Sequence, residues 1–260
     1  MTTESATSVV RDVLRVYDGR FLELDPARRE RLVEGTRRLI GEDGLDEEIR
    51  AALPAAFRLR AFCIQHGLRD ELERLIRDEV DGAPAGAVVV GGRVYAMHPY
   101  LRGVPRQDAD ITGEVGVEHR LDAVSWQSKR VRIRGRAAIE RIQARLTEIE
   151  VILRERESRV EHRFAAETEG DAFEAWADLT VPGPGRWDVH VAAQALGVRR
   201  EARFGTVRSA KVGDEPQRRT LDGGDEASIY FTRGGHLAVL VEHGPCPAPL
   251  RTKIRRRLTR

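Results

Sequence analysis

The chain has only two cysteines, no asparagine and three lysines, and aromatic residues make up 5% of its 260 positions. Cys63 lies in an apolar stretch and Cys246 between two prolines, so no disulfide framework or metal-ligand cluster is encoded. A reduced, cytoplasmic compartment fits that cysteine usage. The first eight residues are small and polar and lack the apolar core of a secretory signal. No hydrophobic run approaches the ~18 residues that a spanning helix needs. An excess of one charge is also missing. The 44 basic and 42 acidic residues leave a formal net charge of +2, which excludes the basic surplus of a dedicated nucleic-acid binder. All basic residues except Lys129, Lys211 and Lys253 are arginine, the pattern expected of a GC-rich coding sequence.

What is present divides into two periodicities. Up to about residue 80 the apolar residues recur at helical spacing: Val9, Val10, Val13, Leu14 and Tyr17, then Leu32, Val33, Leu39 and Ile40. Asp25-Pro26 supplies a cap and a first-turn proline, and Gly41 supplies a stop. Leu45, Ile49 and Leu53 predict a short helix ended by Pro54. A largely apolar helix runs from Phe57 to Gly67, and Leu68, Leu72, Leu75 and Ile76 mark the last one.

Residues 81–86 are rich in Gly, Pro and Ala and predict a hinge at Pro84. Beyond it the period becomes two. Val88-Val89-Val90, Gly91-Gly92 and Val94-Tyr95 predict a hairpin. Residues 101–112 predict a loop. Alternating strands follow around Val131–Ile139, Ile149–Leu153, Val160–Phe164, Phe173–Leu179, Trp187–Val191, Ile229–Phe231 and Leu237–Val241. The expected class is α+β by segment, a helical region followed by an all-β antiparallel immunoglobulin-like sandwich. The expected organisation is a helical linker-type region at 1–82, a β-sandwich region at 83–245 and a basic C-terminal tail at 246–260.

Recognisable catalytic signatures are missing. The glycine pairs at 91–92 and 234–235 lie between strands, so they predict turns rather than phosphate cradles. No G-x-S-x-G elbow occurs. His119, His162 and His190 fall in strand patterns, as solvent-facing or satisfied imidazoles rather than ligands. Asp108-Ala-Asp110 has the form of a metal-binding pair but lacks the preceding nucleotide-binding fold, so a loop is expected there. Trp187 opens an alternating strand and is expected in the core. Trp126 and Trp176 are open between packing and a sugar-stacking platform. Arg251, Lys253, Arg255, Arg256, Arg257 and Arg260 form an acid-free basic end, which fits contact with an anionic polymer or membrane surface or simply a solvated end.

Several segments together resemble the part that follows the catalytic domain in bacterial family 2 glycosyltransferases of the wall-teichoic-acid type. These are Phe57-Arg-Leu-Arg-Ala-Phe-Cys-Ile-Gln-His-Gly67, Asp70-Glu-Leu-Glu-Arg-Leu75, His119-Arg-Leu-Asp-Ala-Val-Ser-Trp126, Val131-Arg-Ile-Arg-Gly-Arg-Ala137, Gly185-Arg-Trp-Asp-Val-His-Val191 and Leu196-Gly-Val-Arg-Arg200. The resemblance spans roughly residues 8–245. It implies a linker plus immunoglobulin-like module that serves assembly, homo-oligomer formation or acceptor positioning, with a catalytic subunit as partner. The nucleotide sugar, divalent metal and catalytic residues would belong to a domain N-terminal to Val9, so no catalytic, cofactor or metal residue is carried over. The implied place of work is cytoplasmic, peripheral at the inner face of the membrane. A stand-alone carbohydrate-binding or protein-interaction sandwich is the competing expectation, and a free-standing enzyme is a third.

Overall fold

Helix boundaries in the computed structural model, which describes residues 3–83, 85–222 and 224–244, follow the capping chemistry closely. Six helices open the chain: α1 (Thr3–Arg15), α2 (Gly19–Glu23), α3 (Pro26–Ile40), α4 (Glu47–Ala52), α5 (Ala55–Gln65) and α6 (Arg69–Val80). The Asp25 carboxylate accepts the Arg28 backbone N–H at 2.9 Å, satisfying a donor that the first turn of α3 leaves free. At its other end Gly41, with φ +84°, donates its N–H to Arg37. Asp18 and Asp46 cap α2 and α4 in the same way. The five-residue α2 is too short to register as a period, and its Phe21 is nonetheless buried.

Helix α5 is the centre of this unit. Arg58 through Ile64 are all buried, so the helix is covered on every side, as a core helix must be. Leu14 and Tyr17 near α1, Leu72 and Ile76 of α6, and Phe21 pack in the same cluster. The Tyr17 hydroxyl donates to Thr36 at 2.6 Å, pairing two polar groups that the cluster would otherwise strand. Cys63 is fully buried among them, and burial, with Glu71 adding to it, pushes its thiol up to about 12. It is an inert core side chain rather than a nucleophile.

The expected hairpin is formed by β1 (Ala87–Val90) and β2 (Arg93–Ala96), with Val90 opposite Arg93. Gly91 and Gly92 both have positive φ, as a tight two-residue turn requires. Pro84, the expected hinge point, lies outside the described residues. The stretch predicted as a loop at 101–112 contains a one-turn helix, α7 (Arg106–Ala109), and a bridge between Tyr95 and Asp110. Four residues of helix carry no period, so only their tertiary partners reveal them.

Ten further strands make one sheet. They are β3 (Val117–Gln127), β4 (Arg130–Ile139), β5 (Glu148–Glu155), β6 (Glu161–Glu169), β7 (Ala172–Asp178), β8 (Gly185–Ala195), β9 (Val198–Arg203), β10 (Gln217–Thr220), β11 (Glu226–Phe231) and β12 (Leu237–Glu242). The order is β10-β11-β12-β8-β5-β6-β7-β4-β3, with β9 beside β8. The pairs β10–β11, β11–β12, β12–β8, β5–β6, β6–β7 and β4–β7 are antiparallel, and a parallel bridge joins Leu121 to Arg208. Strand β6 is the corner of the sandwich. Its first half, Glu161 to Ala165, pairs with β5, and its second half, Ala166 to Glu169, pairs with β7. The two ends of the order then meet. The Trp126 indole donates to the Gln217 carbonyl at 3.3 Å, the Gln217 amide donates to the Val124 carbonyl at 3.3 Å, and Lys129 pairs with Asp222. The sandwich is therefore close to a barrel, and few strand edges are left open.

Strands β9 and β10 were not foreseen because they carry no alternation. Val198 is the one buried residue of β9, and β10 has none. In β4, by contrast, Val131, Ile133 and Ala137 are buried and the intervening arginines face out. A Cβ on Gly135 would sit 2.4 Å from the Arg120 carbonyl and 2.9 Å from the Phe204 ring, so glycine is needed for that close approach.

By contacts the chain falls into two compact units. One holds the residues up to 118 with 138–147 and 193–200, and the other holds 119–137, 148–192 and 201 onward.

Candidate functional site

The Asp108–Asp110 pair is built into the helical unit by arginines. Arg50 Nε lies 3.0 Å from Asp108 Oδ1, an ion pair poorly aligned as a hydrogen bond. Burial pushes the Asp108 carboxyl up, and Arg50 and Arg58 only partly offset this. Burial acts upward on Asp110 too, but bonds from Thr112 and Arg93 outweigh it and leave that carboxyl below its ordinary value. The Arg58 guanidinium donates to the carbonyls of Leu53 at 2.7 Å, Asp108 at 3.4 Å and Asp110. The two acids are thus held in a structural lattice rather than aimed at a ligand. Among the described residues no group of three or more His, Cys, Asp or Glu is placed to hold a metal ion.

Two adjoining cavities in the same unit, of about 200 and 350 Å³, share Leu59, Ala96 and His98 in their walls. His98 Nδ1 is 3.3 Å from the Tyr100 hydroxyl, which donates to Asp78 at 2.8 Å. Burial, helped by Arg141, holds the His98 imidazole below its usual value, so it is neutral at pH 7. Burial and Asp78 raise the Tyr100 phenol, so it stays protonated. No Ser, Thr or Cys is among the lining residues. The arrangement can donate and accept hydrogen bonds.

In the β-rich unit His162 and His190 have partners, while the buried Nδ1 atoms of His119 and His236 have no hydrogen-bond partner among the described residues. His190 Nδ1 lies 3.3 Å from Glu201, and the His162 ring packs 5.2 Å from Trp187. His119 packs edge-on to Phe204, and burial holds it, like His190 and His236, below the ordinary imidazole value.

The three tryptophans separate cleanly. Trp187 is 3% exposed and faces inward with Val189 and Val191, so it is core. Trp126 is half-buried and fastens β3 to β10. Trp176 is 38% exposed on the outer face of β7. The basic tail, Arg251 to Arg260, lies outside the described residues. Sequence reasoning missed Arg58 and Arg60, which are buried in α5. Two arginines inside an otherwise apolar helical run were the available signal.

Residues 5–76 match the family model described as the glycosyl transferase TarS linker domain. No curated protein matches the chain. Among solved structures, the crystal structure of S. aureus TarS 217-571 superposes with a TM-score of 0.58 at 12% identity, covering 95% of this chain and 72% of that one. A crystal structure of S. aureus TarS is matched over 93% of this chain at 13% identity with a TM-score of 0.47, and the chain spans 45% of it. The chain therefore combines a TarS-type linker segment at residues 5–76 with the fold of TarS 217-571.

Proposed function

We propose that this chain is a non-catalytic module of a cell-surface-polymer glycosyltransferase system. It assembles the transferase or positions its acceptor, and it works at the inner face of the membrane. The observation that carries this reading is the TarS linker match at residues 5–76, set in front of a β-rich fold like that of TarS 217-571. The partner is a nucleotide-sugar domain that brings its own donor and divalent metal. Polymer transfer by a family 2 nucleotide-sugar domain, measured with and without this chain, tests the proposal. A rate or product length that rises on addition supports it, and an unchanged reaction together with no co-sedimentation of the two proteins overturns it.

Positioning of an anionic acceptor would rest on the basic tail. Without those six charges the formal net charge of +2 becomes −4, so the rest of the chain is not a polycation. Attraction of a cationic segment to phosphate groups is screened over ~8 Å at physiological salt. The full chain is expected to be retained on a polyol-phosphate column at low salt and to elute at moderate salt. A version ending at Pro249 should lose most of that retention with its thermal stability unchanged. Equal retention of both would move the contact to the folded body.

A further inference from the structure

We propose that the adjoining cavities between α5, α6 and the end of β2 form a binding site for a small monocarboxylate with an apolar body, and that Arg141 holds its carboxylate. Every lining residue belongs to one compact unit of the chain. The space exists because the facing side chains are short. Ala55 and Ala56 of α5, Ala83 and Ala85 after α6, and Ala96 of β2 stand where longer apolar residues would fill the gap. Leu59, Leu75 and Ile111 add a buried apolar wall, while Ala56 and Ala83 are exposed and leave the space open to solvent. A mostly apolar cavity with a few placed polar groups is the form that small-molecule sites take.

The charged groups of the wall are committed, with one exception. Glu79 pairs with Arg60, whose guanidinium also donates to the Leu14 carbonyl at 3.0 Å. Glu114 accepts the Ala55 N–H at 2.7 Å and lies 3.5 Å from Arg58. Asp78 accepts the Tyr100 hydroxyl at 2.8 Å. Arg141 is the exception. It enters from the turn after β4 with φ +64°, and its Nε donates to the Ala85 carbonyl at 2.9 Å. That bond fixes the guanidinium at the cavity wall. Among the described residues its two terminal nitrogens have neither a hydrogen-bond acceptor nor an ion-pair partner.

Two free terminal nitrogens of a guanidinium offer parallel N–H groups, the fork that a carboxylate matches. In apolar surroundings water weakens such a pair less than at an open surface. The site has one such cation to give. His98, shared by both cavities, is neutral at pH 7, and Arg58 and Arg60 are already matched by Glu114 and Glu79. A single negative charge is therefore balanced, and a dianion such as phosphate is not. The alanine and leucine wall takes the hydrocarbon part of the ligand. The site stands whether or not the chain stimulates a transferase.

The test is calorimetry and thermal unfolding of the full chain with octanoate, hydrocinnamate, the neutral alcohol of each hydrocarbon, and inorganic phosphate. At least one carboxylate should bind one to one and raise the unfolding midpoint, as a ligand of the folded state must. Its alcohol should bind about tenfold more weakly or worse, the scale of one charge-assisted hydrogen bond, and phosphate should not compete. Arg141→Gln should weaken the carboxylate by about tenfold or more and leave the alcohol unchanged, and Arg141→Lys should recover a part. Ala96→Leu, at the wall common to both cavities, should weaken every ligand, and its midpoint without ligand reports whether the unit is folded. The Arg141 variants decide the matter if that leucine unfolds it. Absence of binding by both carboxylates, equal binding of acid and alcohol, competition by phosphate, equal binding by Arg141→Gln, or equal binding by a folded Ala96→Leu each overturns the proposal.

Discussion

Trp187→Ala is expected to cost about 3–5 kcal/mol of stability and to leave the β-rich unit poorly folded. The indole is 3% exposed on β8, opposite Val239 of β12, and on the same face as the fully buried Val189 and Val191. Its Nε1–H donates to the Gly183 carbonyl at 3.2 Å, and His162 packs beside it. Truncation removes the largest apolar side chain on this strand and opens a cavity between two layers joined through β6, which cannot collapse without moving a strand. A loss of this size is a large fraction of the roughly 5–15 kcal/mol that holds a domain. Trp187→Phe retains most of the packing and loses the hydrogen bond, so about 1–2 kcal/mol is expected. Urea unfolding followed by near-ultraviolet dichroism measures both. An alanine variant within about 1 kcal/mol of the parent would show that Trp187 does not hold the layers together.

The second large effect is expected in the helical unit. Arg58 has a side chain only 9% exposed, and its guanidinium serves the carbonyls of Leu53, Asp108 and Asp110 and lies 3.5 Å from Glu114. It ties the end of α4 to the C-terminal end of α7, and neither short helix has enough internal hydrogen bonding to stand alone. Arg58→Leu keeps the apolar stem but leaves those acceptors unpaired and Asp108 short of one of its two cations. The expected cost is about 3–5 kcal/mol. Arg58→Lys should recover only a part, because one ammonium cannot reach three carbonyls set in a fork. Amide exchange should locate the loss. Protection should fall first at residues 106–114, with α3 and α6 following only at global unfolding. Uniform loss of protection across the unit would instead mean that Arg58 supports the whole α5 core.

Local chemistry was legible without the structure wherever one residue decides the backbone. Asp25-Pro26 and Gly41 bound α3, Gly91-Gly92 turns the first hairpin, and Trp187-Val189-Val191 shows its inward face, because caps, positive φ and alternation act over a few residues. The order of helices before an antiparallel sandwich was legible for the same reason. Closure of the sheet was not, since Trp126 and Gln217 meet across ninety-one residues of sequence. Nor was the conversion of a nominal loop into α7, whose four residues are helical because Arg50 and Arg58 hold them. The alternation of Phe173, Ala175 and Ala177 did put Trp176 on the opposite face of β7. Whether that face is covered depends on what packs against it, and only the tertiary arrangement, with arginines of β4 alongside and solvent above, decided that it is open.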